Sequence, residues 1–373
     1  MAETLDAAAD VGALFAPFAI KGLNLPNRIV MAPMTRSKSP GGVPGPDVAA
    51  YYRRRAEGEV GLIITEGTAP DHRDVARNDP DVPRFFGADA LAGWSNVVRE
   101  THAGGGRIAP QLWHVGMLRR ADKMWNPEEP SAGPSGMHKP GKPSSDPMTE
   151  EDIADAVSAF AKAAGEARAL GFDALELHGA HGYLIDQFFW DGSNIRDDAW
   201  GGDAATRTRF ASEIVKAVRA AVGPDFVVIL RFSQWKQQDY AARLAQTPED
   251  LARFLAPLTD AGVDVFHCST RRFWEPEFEG SNLNLAGWVK KLSAKPTITV
   301  GSVGLTTDFI TGMWEARSSA SLDDLVRRLE AEEFDLVAVG RALIANPDWA
   351  RRVRLGETET LRDYTPDLAQ TLY

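Results

Sequence analysis

The feature that most constrains the fold of this chain is a unit, a helix followed by a buried strand, that recurs along the sequence. In one copy, residues 149–152 (Thr-Glu-Glu-Asp) have the form of a helix capping box, and Gly171 stands where that helix would end. The apolar residues 172–177 then predict a buried strand. Residues 247–250 begin a second copy and residues 321–324 a third. Strands that alternate with helices predict a parallel sheet, because each helix returns the chain to the edge where the next strand begins.

Eight short apolar runs are predicted strands, and segments of helical length separate most of them. They comprise residues 29–33, 60–65, 108–112, 172–177, 226–230, 263–266, 297–300 and 336–339. Eight such units predict an α/β fold of the closed (β/α)₈ TIM-barrel type, and an open doubly wound sheet is the alternative. Residues 1–373 would form a single domain. The longest irregular stretch, at about residues 119–147, follows the third strand and is predicted to be an extended cap loop.

Charge and composition exclude several classes of function. The net charge of −11 argues against a nucleic-acid partner, because phosphate backbones bind basic surfaces. No apolar run approaches the roughly 20 residues that a membrane-spanning helix needs. Cys268 is the only cysteine in the sequence, which excludes an intramolecular disulfide and a thiolate metal cage. We expect a cytoplasmic protein, by default rather than from a targeting signal.

Chemistry in a barrel belongs at the carboxyl ends of the strands, and the sequence places two histidines and a tyrosine at one of them. His178, His181 and Tyr183 follow the strand predicted at residues 172–177. Two imidazoles can hydrogen-bond one electronegative atom of a substrate, and a nearby phenol can deliver a proton. A metal site with His114 as the third ligand is an alternative, although the sequence offers no thiolate or matching carboxylate motif. A structural core histidine would explain one imidazole, but it explains two beside a tyrosine less well.

Glycine and arginine residues after other strands predict a ligand that carries a phosphate. Gly301-Ser302 and Gly340-Arg341 follow the seventh and eighth strands, where this fold usually binds phosphate. Each of these glycines taken alone is more often a plain turn. Arg231 ends the apolar run of the fifth strand. It suits an electron-rich ring or a developing anion, and a structural salt bridge is the alternative.

The chain resembles the Old Yellow Enzyme family of flavin-dependent ene-reductases through several separated motifs in the family's order. The motifs are residues 14–17 (LFAP), 27–36 (NRIVMAPMTR), 111–116 (QLWHVG), 178–188 (HGAHGYLIDQF) and 339–347 (VGRALIANP), with Asn194, Arg196, Asp197, Gly201-Gly202 and Arg231 between them. The chain departs from the family pattern at Met117, Trp200 and Thr206, where arginine, tyrosine and asparagine are common. These departures concern the rim of the barrel and the substrate preference rather than the flavin site.

The resemblance implies FMN, bound non-covalently at the mouth of the barrel, with NAD(P)H as the reductant. The residues that would contact FMN are Pro33, Met34, Thr35, Gly67, Gln111, Arg231, Gly301, Ser302, Gly340 and Arg341. By this resemblance, Thr35 would hydrogen-bond the carbonyl next to flavin N5, and Gln111 and Arg231 would hold the pyrimidine edge. The two glycine-containing pairs after the seventh and eighth strands would hold the phosphate.

The implied reaction reduces the activated C=C bond of an α,β-unsaturated carbonyl or nitro compound. Reduced nicotinamide gives hydride to flavin N5 and leaves, and the electron-poor alkene then enters the same site. His178 and His181 would hold its oxygen, hydride would pass from N5 to the β-carbon, and Tyr183 would protonate the α-carbon. Trp113 and Trp274 are predicted to line the substrate pocket beside them.

Other functions stay open from the sequence. The same histidine pair suits nitro compounds, nitrate esters or quinones as the main substrates of an FMN-dependent reductase. A metal-dependent lyase or isomerase on the same barrel, or a non-catalytic binding protein, is a third class. A homodimer is also compatible with the sequence, which does not decide between NADH and NADPH or identify the physiological alkene.

Overall fold

A computed structural model of the chain describes residues 10–73, 75–119, 128–306 and 321–373. Eight parallel strands close into a barrel, as the alternation of strands and helices predicted. The strands are β1 (Ile29–Met31), β2 (Leu62–Thr68), β3 (Arg107–Leu112), β4 (Ala174–His181), β5 (Val227–Lys236), β6 (Val265–Ser269), β7 (Thr297–Val300) and β8 (Leu336–Val339). Each strand pairs with the next along the chain, and β8 closes the barrel against β1. The open doubly wound alternative is therefore wrong.

Helices surround this barrel and cover the outer faces of its strands. The α-helices of the described residues are α1 (Pro46–Glu57), α2 (Ala88–Ala103), α3 (Glu150–Ala169), α4 (Leu184–Phe189), α5 (Arg209–Val222), α6 (Pro248–Ala261), α7 (Leu285–Ser293), α8 (Asp323–Glu330), α9 (Arg341–Ala345) and α10 (Trp349–Leu355). None of the helices that the structure describes combines the length and the apolarity needed to cross a membrane.

Two of the three predicted capping boxes are confirmed. Thr149 caps α3 and Thr247 caps α6, and in each box an aspartate three residues later returns a hydrogen bond to the cap. The third prediction is wrong, because α8 starts without a side-chain cap. The carboxylate of Asp324 pairs with arginines of α8 instead, and the Ser321 hydroxyl accepts from the backbone N–H of Asp323.

β5 differs most from its predicted bounds, which ended at residue 230. The strand continues to Lys236, so Arg231 lies inside it and not at its end. The polar side chains of the extension indicated a strand end in the sequence, but in the structure they are buried and paired. Gln234 hydrogen-bonds the backbone of the following loop, and Lys236 forms an ion pair with Asp186.

The amino end of the barrel is closed by a hairpin of the strands Phe18–Ile20 and Leu23–Leu25. Leu23 and Leu25 pack with apolar side chains of the barrel strands in one buried cluster. The backbone N–H of Gly22 donates to the carbonyl of Asp225, two residues before β5 begins. The hairpin buries apolar surface at this end, so the ligand site lies at the opposite one.

The segment after β3 lies beside the carboxyl ends of the strands. Its first residues, Trp113 and Val115, pack with Val82 and Tyr183 in a small separate cluster. Further along, the strands Met137–Lys139 and Lys142–Pro143 form a hairpin. Part of the predicted cap, residues 120–127, lies outside the described residues.

Candidate active site

A cavity of about 430 Å³ lies at the carboxyl ends of the barrel strands. Most of the residues predicted from the sequence to bind cofactor or substrate line it. They are Pro33, Met34, Thr35, Gln111, Trp113, His178, His181, Tyr183, Arg231, Gly301, Ser302, Gly340 and Arg341. Closure of the barrel brings residues from both ends of the sequence into this one cavity.

Two predicted site residues are not among those that line the cavity. Gly67 lies behind Trp113, and a Cβ atom there would come within 2.6 Å of the indole ring. Gly67 therefore gives the indole the space it occupies. Trp274 packs edge-on against Phe273 near the surface and is 36% exposed. The arrangement supports neither direct cofactor contact by Gly67 nor substrate contact by Trp274.

The two histidines and the tyrosine converge on one wall of the cavity. The ring centroid of His178 lies 5.2 Å from that of His181 and 5.2 Å from that of Tyr183. Trp113 packs edge-on against Tyr183 at 5.0 Å. The three rings therefore lie together on one wall, where His181 Nε2 is 2.8 Å from the Ser269 hydroxyl and His178 Nδ1 has no hydrogen-bond partner among the described residues.

A tight turn at the end of β4 produces this convergence. His181 has φ of 64° and Gly182 has φ of 80°, so the chain turns sharply before Tyr183, the N-cap residue of α4. Asp186 accepts a hydrogen bond from the Gly182 N–H at 2.7 Å, and the buried Lys236 ammonium donates to the same carboxylate at 2.8 Å. A buried ion pair thus holds the turn that carries two of the three functional side chains.

Burial sets the protonation states of the two histidines and the tyrosine on this wall. Burial, with the charge of Arg231, lowers the pKa of both His178 and His181 well below the usual histidine range, so the imidazoles are neutral near pH 7. Each then has one N–H donor. Burial raises the pKa of the Tyr183 phenol, while a hydrogen bond from Gln237 and the charge of Arg231 oppose the shift. Tyr183 therefore keeps its proton at neutral pH.

Gln111 and Arg231 form a polar part of the cavity lining. Gln111 Nε2 donates to the Glu176 carboxylate at 2.8 Å, which fixes the orientation of the amide. Arg231 contacts the Ser269 hydroxyl at 3.4 Å. Burial lowers the pKa of Arg231 and the Glu176 carboxylate partly offsets this, and the guanidinium stays charged. Arg231 thus supplies a positive charge at the cavity.

Glu66 holds the loop that carries Thr35. Its carboxylate accepts from the backbone N–H groups of Arg36 and Ser37 at 2.8 and 3.0 Å. Burial raises the pKa of Glu66 to about 7 despite these hydrogen bonds. The loop after β1 is therefore anchored from β2, although the sequence indicated no role for Glu66.

Several lining residues were not predicted from the sequence, and Trp235 is the most prominent. Its ring stacks on His181, with centroids 4.5 Å apart and planes inclined by 22°. Tyr240 packs beside Trp235 at 5.7 Å, and both line the cavity. Tyr364, close to the carboxyl terminus, also lines it. A longer fifth strand would have been the signal for Trp235, whereas no local pattern indicates Tyr364.

The cavity fits FMN by size and by its unpaired polar atoms. Its volume falls within the roughly 300–1,000 Å³ of cofactor and ligand sites. Arg231 Nε and His178 Nδ1 are buried and have no hydrogen-bond partner among the described residues. Gly301 has φ of 143°, and a Cβ atom there would lie 2.8 Å from Thr270 Oγ1. Unsatisfied buried polar atoms and a backbone that excludes a side chain are features of a ligand site.

The metal alternative receives no support from the geometry. His114 is not among the residues that line the cavity, and its Nε2 lies 2.9 Å from His72 Nδ1. Within the described ranges, no group of three or more histidine, cysteine, aspartate or glutamate side chains is arranged to hold a metal ion.

Comparison with known proteins gives consistent matches over nearly the whole chain. A sequence profile described as the NADH:flavin oxidoreductase / NADH oxidase family matches residues 13–359. NADPH dehydrogenase of Halalkalibacterium halodurans is 33% identical over 351 residues, which cover 92% of this chain and 94% of that protein. 12-Oxophytodienoate reductase 7 of Oryza sativa subsp. japonica is 32% identical, with 95% of this chain and 92% of that protein covered.

Solved structures agree with these sequence matches. Morphinone reductase in complex with tetrahydroNAD aligns with a TM-score of 0.76 at 30% identity, covering 95% of this chain and 93% of that one. The barrel, the cavity at its carboxyl end and the sequence matches lead to the same conclusion. The chain belongs to the NADH:flavin oxidoreductase / NADH oxidase family, the Old Yellow Enzyme family that its motifs indicated.

Proposed function

We propose that His178, His181 and Tyr183 carry out the reduction of an activated C=C bond in the cavity described above. As a member of its family, the chain is an NAD(P)H-dependent FMN oxidoreductase of the ene-reductase type. The observation that carries the proposed roles is the convergence of two neutral imidazoles and one protonated phenol on a single cavity wall.

The imidazoles of His178 and His181 bind and polarise the substrate. Their N–H groups donate to the carbonyl or nitro oxygen, and they stabilise the negative charge that develops there as the double bond is reduced. Because both rings are neutral, they act as hydrogen-bond donors without releasing a proton. Bound FMN supplies the hydride that is added to the β-carbon.

Tyr183 supplies the proton for the α-carbon. Its raised pKa keeps the phenol protonated until the carbon gains negative charge, and its ring position beside His178 places the hydroxyl at the same wall. Trp113 holds the phenol ring from one side. We assign Trp113 to the substrate pocket as well, because it lines the cavity.

The proposed FMN contacts come from three groups of lining residues. Pro33, Met34 and Thr35 would lie along the ring system, Gln111 and Arg231 at its pyrimidine edge, and Gly301, Ser302, Gly340 and Arg341 at the phosphate. Arg231 is the only one of these with a charge at the ring, where it would offset the negative charge of the reduced flavin. The unpartnered Nε of Arg231 supports this assignment.

An absorption spectrum of the purified protein tests the function. We expect flavin bands, and we expect a new long-wavelength band when a simple phenol is added, because a phenolate held by the two histidines would stack on oxidised flavin. Substituting alanine for both His178 and His181 should abolish the new band and keep the flavin bands, whereas a His102→Gln control on α2 should keep both. Protein without flavin, or activity lost to a chelator, would favour the metal-dependent lyase or isomerase.

The second candidate keeps the same site and changes the substrate. Nitro compounds, nitrate esters and quinones all present an oxygen that the two histidines can bind, so they are the alternative main substrates. Rates measured without oxygen on a panel of enones and these compounds decide between the candidates, and the highest kcat/KM identifies the main class.

We further propose a cytoplasmic protein that functions as one domain over residues 1–373, with residues 119–147 as its cap. The net charge of −11 supports the absence of a nucleic-acid partner. A homodimer is our working proposal for the assembly. Sedimentation of the FMN-loaded protein tests it, since a monomer mass of 40.6 kDa would contradict it.

A further inference from the structure

Two buried titratable residues beneath the cavity have no part in the proposed reaction. Glu176 on β4 and His267 on β6 are both 0% exposed, and Glu176 Oε2 lies 2.6 Å from His267 Nδ1. β4 and β6 are alternate strands of the barrel, and alternate strands supply the side chains of one interior layer. The pair therefore lies inside the barrel, in the layer below the cavity.

This pair is connected to the cavity lining by its second carboxylate oxygen. Glu176 Oε1 accepts a hydrogen bond from Gln111 Nε2 at 2.8 Å. In the strand register, Gln111 is the Cα partner of Glu176 on one side of the barrel, and Arg231 is the Cα partner of His267 on the other. The lining residues Gln111 and Arg231 are thus the neighbours of the two buried residues on the adjacent strands.

The pair holds one negative charge. His267 Nε2 is buried without a hydrogen-bond partner among the described residues, so the ring proton belongs on Nδ1, from which it donates to Glu176. Burial and the charge of Arg231 lower the pKa of His267, which keeps the imidazole neutral. The negative charge of the Glu176 carboxylate therefore interacts with the positive charge of the Arg231 guanidinium and partly offsets the lowering of the Arg231 pKa by burial.

We propose that Glu176, held by His267, is a positioning residue that orients the Gln111 amide and sets the reduction potential of the bound flavin. This rests on the proposed placement of FMN against Gln111 and Arg231. With one N–H of Gln111 committed to Glu176, its Oε1 and its second N–H are presented to the ligand in a fixed orientation. A buried negative charge also disfavours added electrons nearby and offsets part of the charge of Arg231.

The experiment is a redox titration of the FMN-loaded Glu176→Gln variant against the wild-type protein. The substitution removes the charge with little change of shape, so the midpoint potential should rise. We expect reduced FMN to gain about tenfold in affinity relative to oxidised FMN, which is about 30 mV for a two-electron couple. Thr297→Val is the matched control, because it removes from β7 a buried hydroxyl that has no partner in the part of the chain that the structure describes, and it leaves the charge unchanged. Its potential should equal that of the wild type.

A second pair of variants keeps the test decisive if Glu176→Gln does not fold. His267→Leu removes the donor that holds the carboxylate, so Glu176 no longer fixes the Gln111 amide and the potential should differ from that of the wild type. His267→Gln retains an N–H toward Glu176 and should stay close to the wild type. An unchanged or lower potential in flavin-loaded Glu176→Gln, or an unchanged potential in flavin-loaded His267→Leu, overturns the inference and leaves the proposed function intact. A wild-type protein that holds no FMN overturns the proposed function instead.

Discussion

Tyr183 owes its role as a proton donor to its surroundings. Burial raises the pKa of the phenol, the charge of Arg231 limits the shift, and Trp113 fixes the ring. The phenol therefore keeps its proton in the resting site and can release it only to a stronger base than water. The α-carbon of the substrate becomes such a base once hydride has been added to the neighbouring β-carbon, because negative charge then develops on the α-carbon and on the carbonyl oxygen.

Tyr183→Phe should slow reduction of the alkene by about 100- to 10,000-fold, because the general acid is lost. Reduction of the flavin by the nicotinamide should change little, since that step needs no proton from the phenol. Stopped-flow absorbance measures the two half-reactions separately. The control is Tyr240→Phe, which removes a hydroxyl from the same cavity lining. Equal losses in both half-reactions of Tyr183→Phe would contradict the assignment.

At the scale of secondary structure, the extension of β5 shapes the site. Residues beyond the predicted strand end bring an indole against His181 and an ammonium against Asp186. One contact fixes the imidazole ring and the other fixes the turn on which it sits. The same few residues of β5 thus connect the packing of the barrel with the orientation of a substrate-binding group.

Trp235→Leu should weaken binding of a phenol or enone by about 3- to 10-fold, because aromatic stacking contributes about 0.5–1.5 kcal/mol to holding the His181 ring. The matched control is Trp274→Leu, which truncates a tryptophan that does not line the cavity and should leave binding unchanged. Titration of the flavin spectrum with phenol measures both. A larger effect from Trp274 than from Trp235 would show that the sequence-based assignment of Trp274 was right.

Lys236→Met should lower the free energy of unfolding by about 3–5 kcal/mol near pH 7, because it leaves the Asp186 carboxylate buried without its cation. Burial already raises the pKa of Asp186 to about 6 with Lys236 present. A folded-state pKa above the unfolded value of about 3.9 means that the folded protein binds the extra proton, so this group's contribution to stability decreases as the pH rises through that window.

Without Lys236 the pKa of Asp186 rises further, so the variant should regain part of its stability at about pH 5, where the carboxylate is protonated. Urea unfolding at both pH values measures this. Lys216→Met, which breaks an exposed pair on α5, should cost no more than about 1 kcal/mol at either pH. A loss in Lys236→Met that is the same size as this control's would count against the buried ion pair.

At the scale of the whole molecule, cofactor binding should couple to the stability of the barrel. The lining residues come from strands and loops along most of the chain, so one ligand bridges many of them. We expect FMN at 100 times its Kd to raise the free energy of unfolding of the apoprotein by about 2.7 kcal/mol. Riboflavin, which lacks the phosphate, should stabilise it less at equal concentration.

Arg341→Met separates the phosphate contribution from that of the ring. In this variant FMN and riboflavin should raise the melting temperature by similar amounts, because the proposed phosphate contact has been removed. Thermal unfolding followed by circular dichroism compares the two ligands in both proteins. A variant in which FMN keeps its full advantage over riboflavin would rule out Arg341 as a phosphate ligand.

The barrel could be predicted from the sequence because its signals are local. Apolar runs marked all eight strands, and threonine–aspartate boxes marked the starts of α3 and α6. The site residues at predicted strand ends also came together, since a barrel gathers those ends on one face. Gly67 and Trp274 lie outside the cavity lining. A strand-end position alone does not determine which way Gly67 faces, and aromatic character alone does not determine where Trp274 packs.

The rest of the site depends on interactions between distant segments. Gln234 and Lys236 extend β5 because a loop and Asp186 satisfy them, and neither partner can be recognised from residues 231–236 alone. Tyr364 lines the cavity because of the course that the chain takes after α10, which no local pattern in the sequence indicates. The Glu176–His267 pair was hidden for the same reason, since each residue is an isolated polar position inside an apolar strand.

The hairpin of residues 18–25 at the amino end of the barrel has a consequence for how ligands enter and leave the cavity. Because its leucines close one end of the barrel, the cavity formed by the described residues lies at the other end, and we expect the reductant and the alkene both to enter there. The two would then bind alternately, and each would dissociate before the other binds. We therefore expect the flavin to hold the electrons between the two binding events, and an excess of either the reductant or the alkene to inhibit binding of the other.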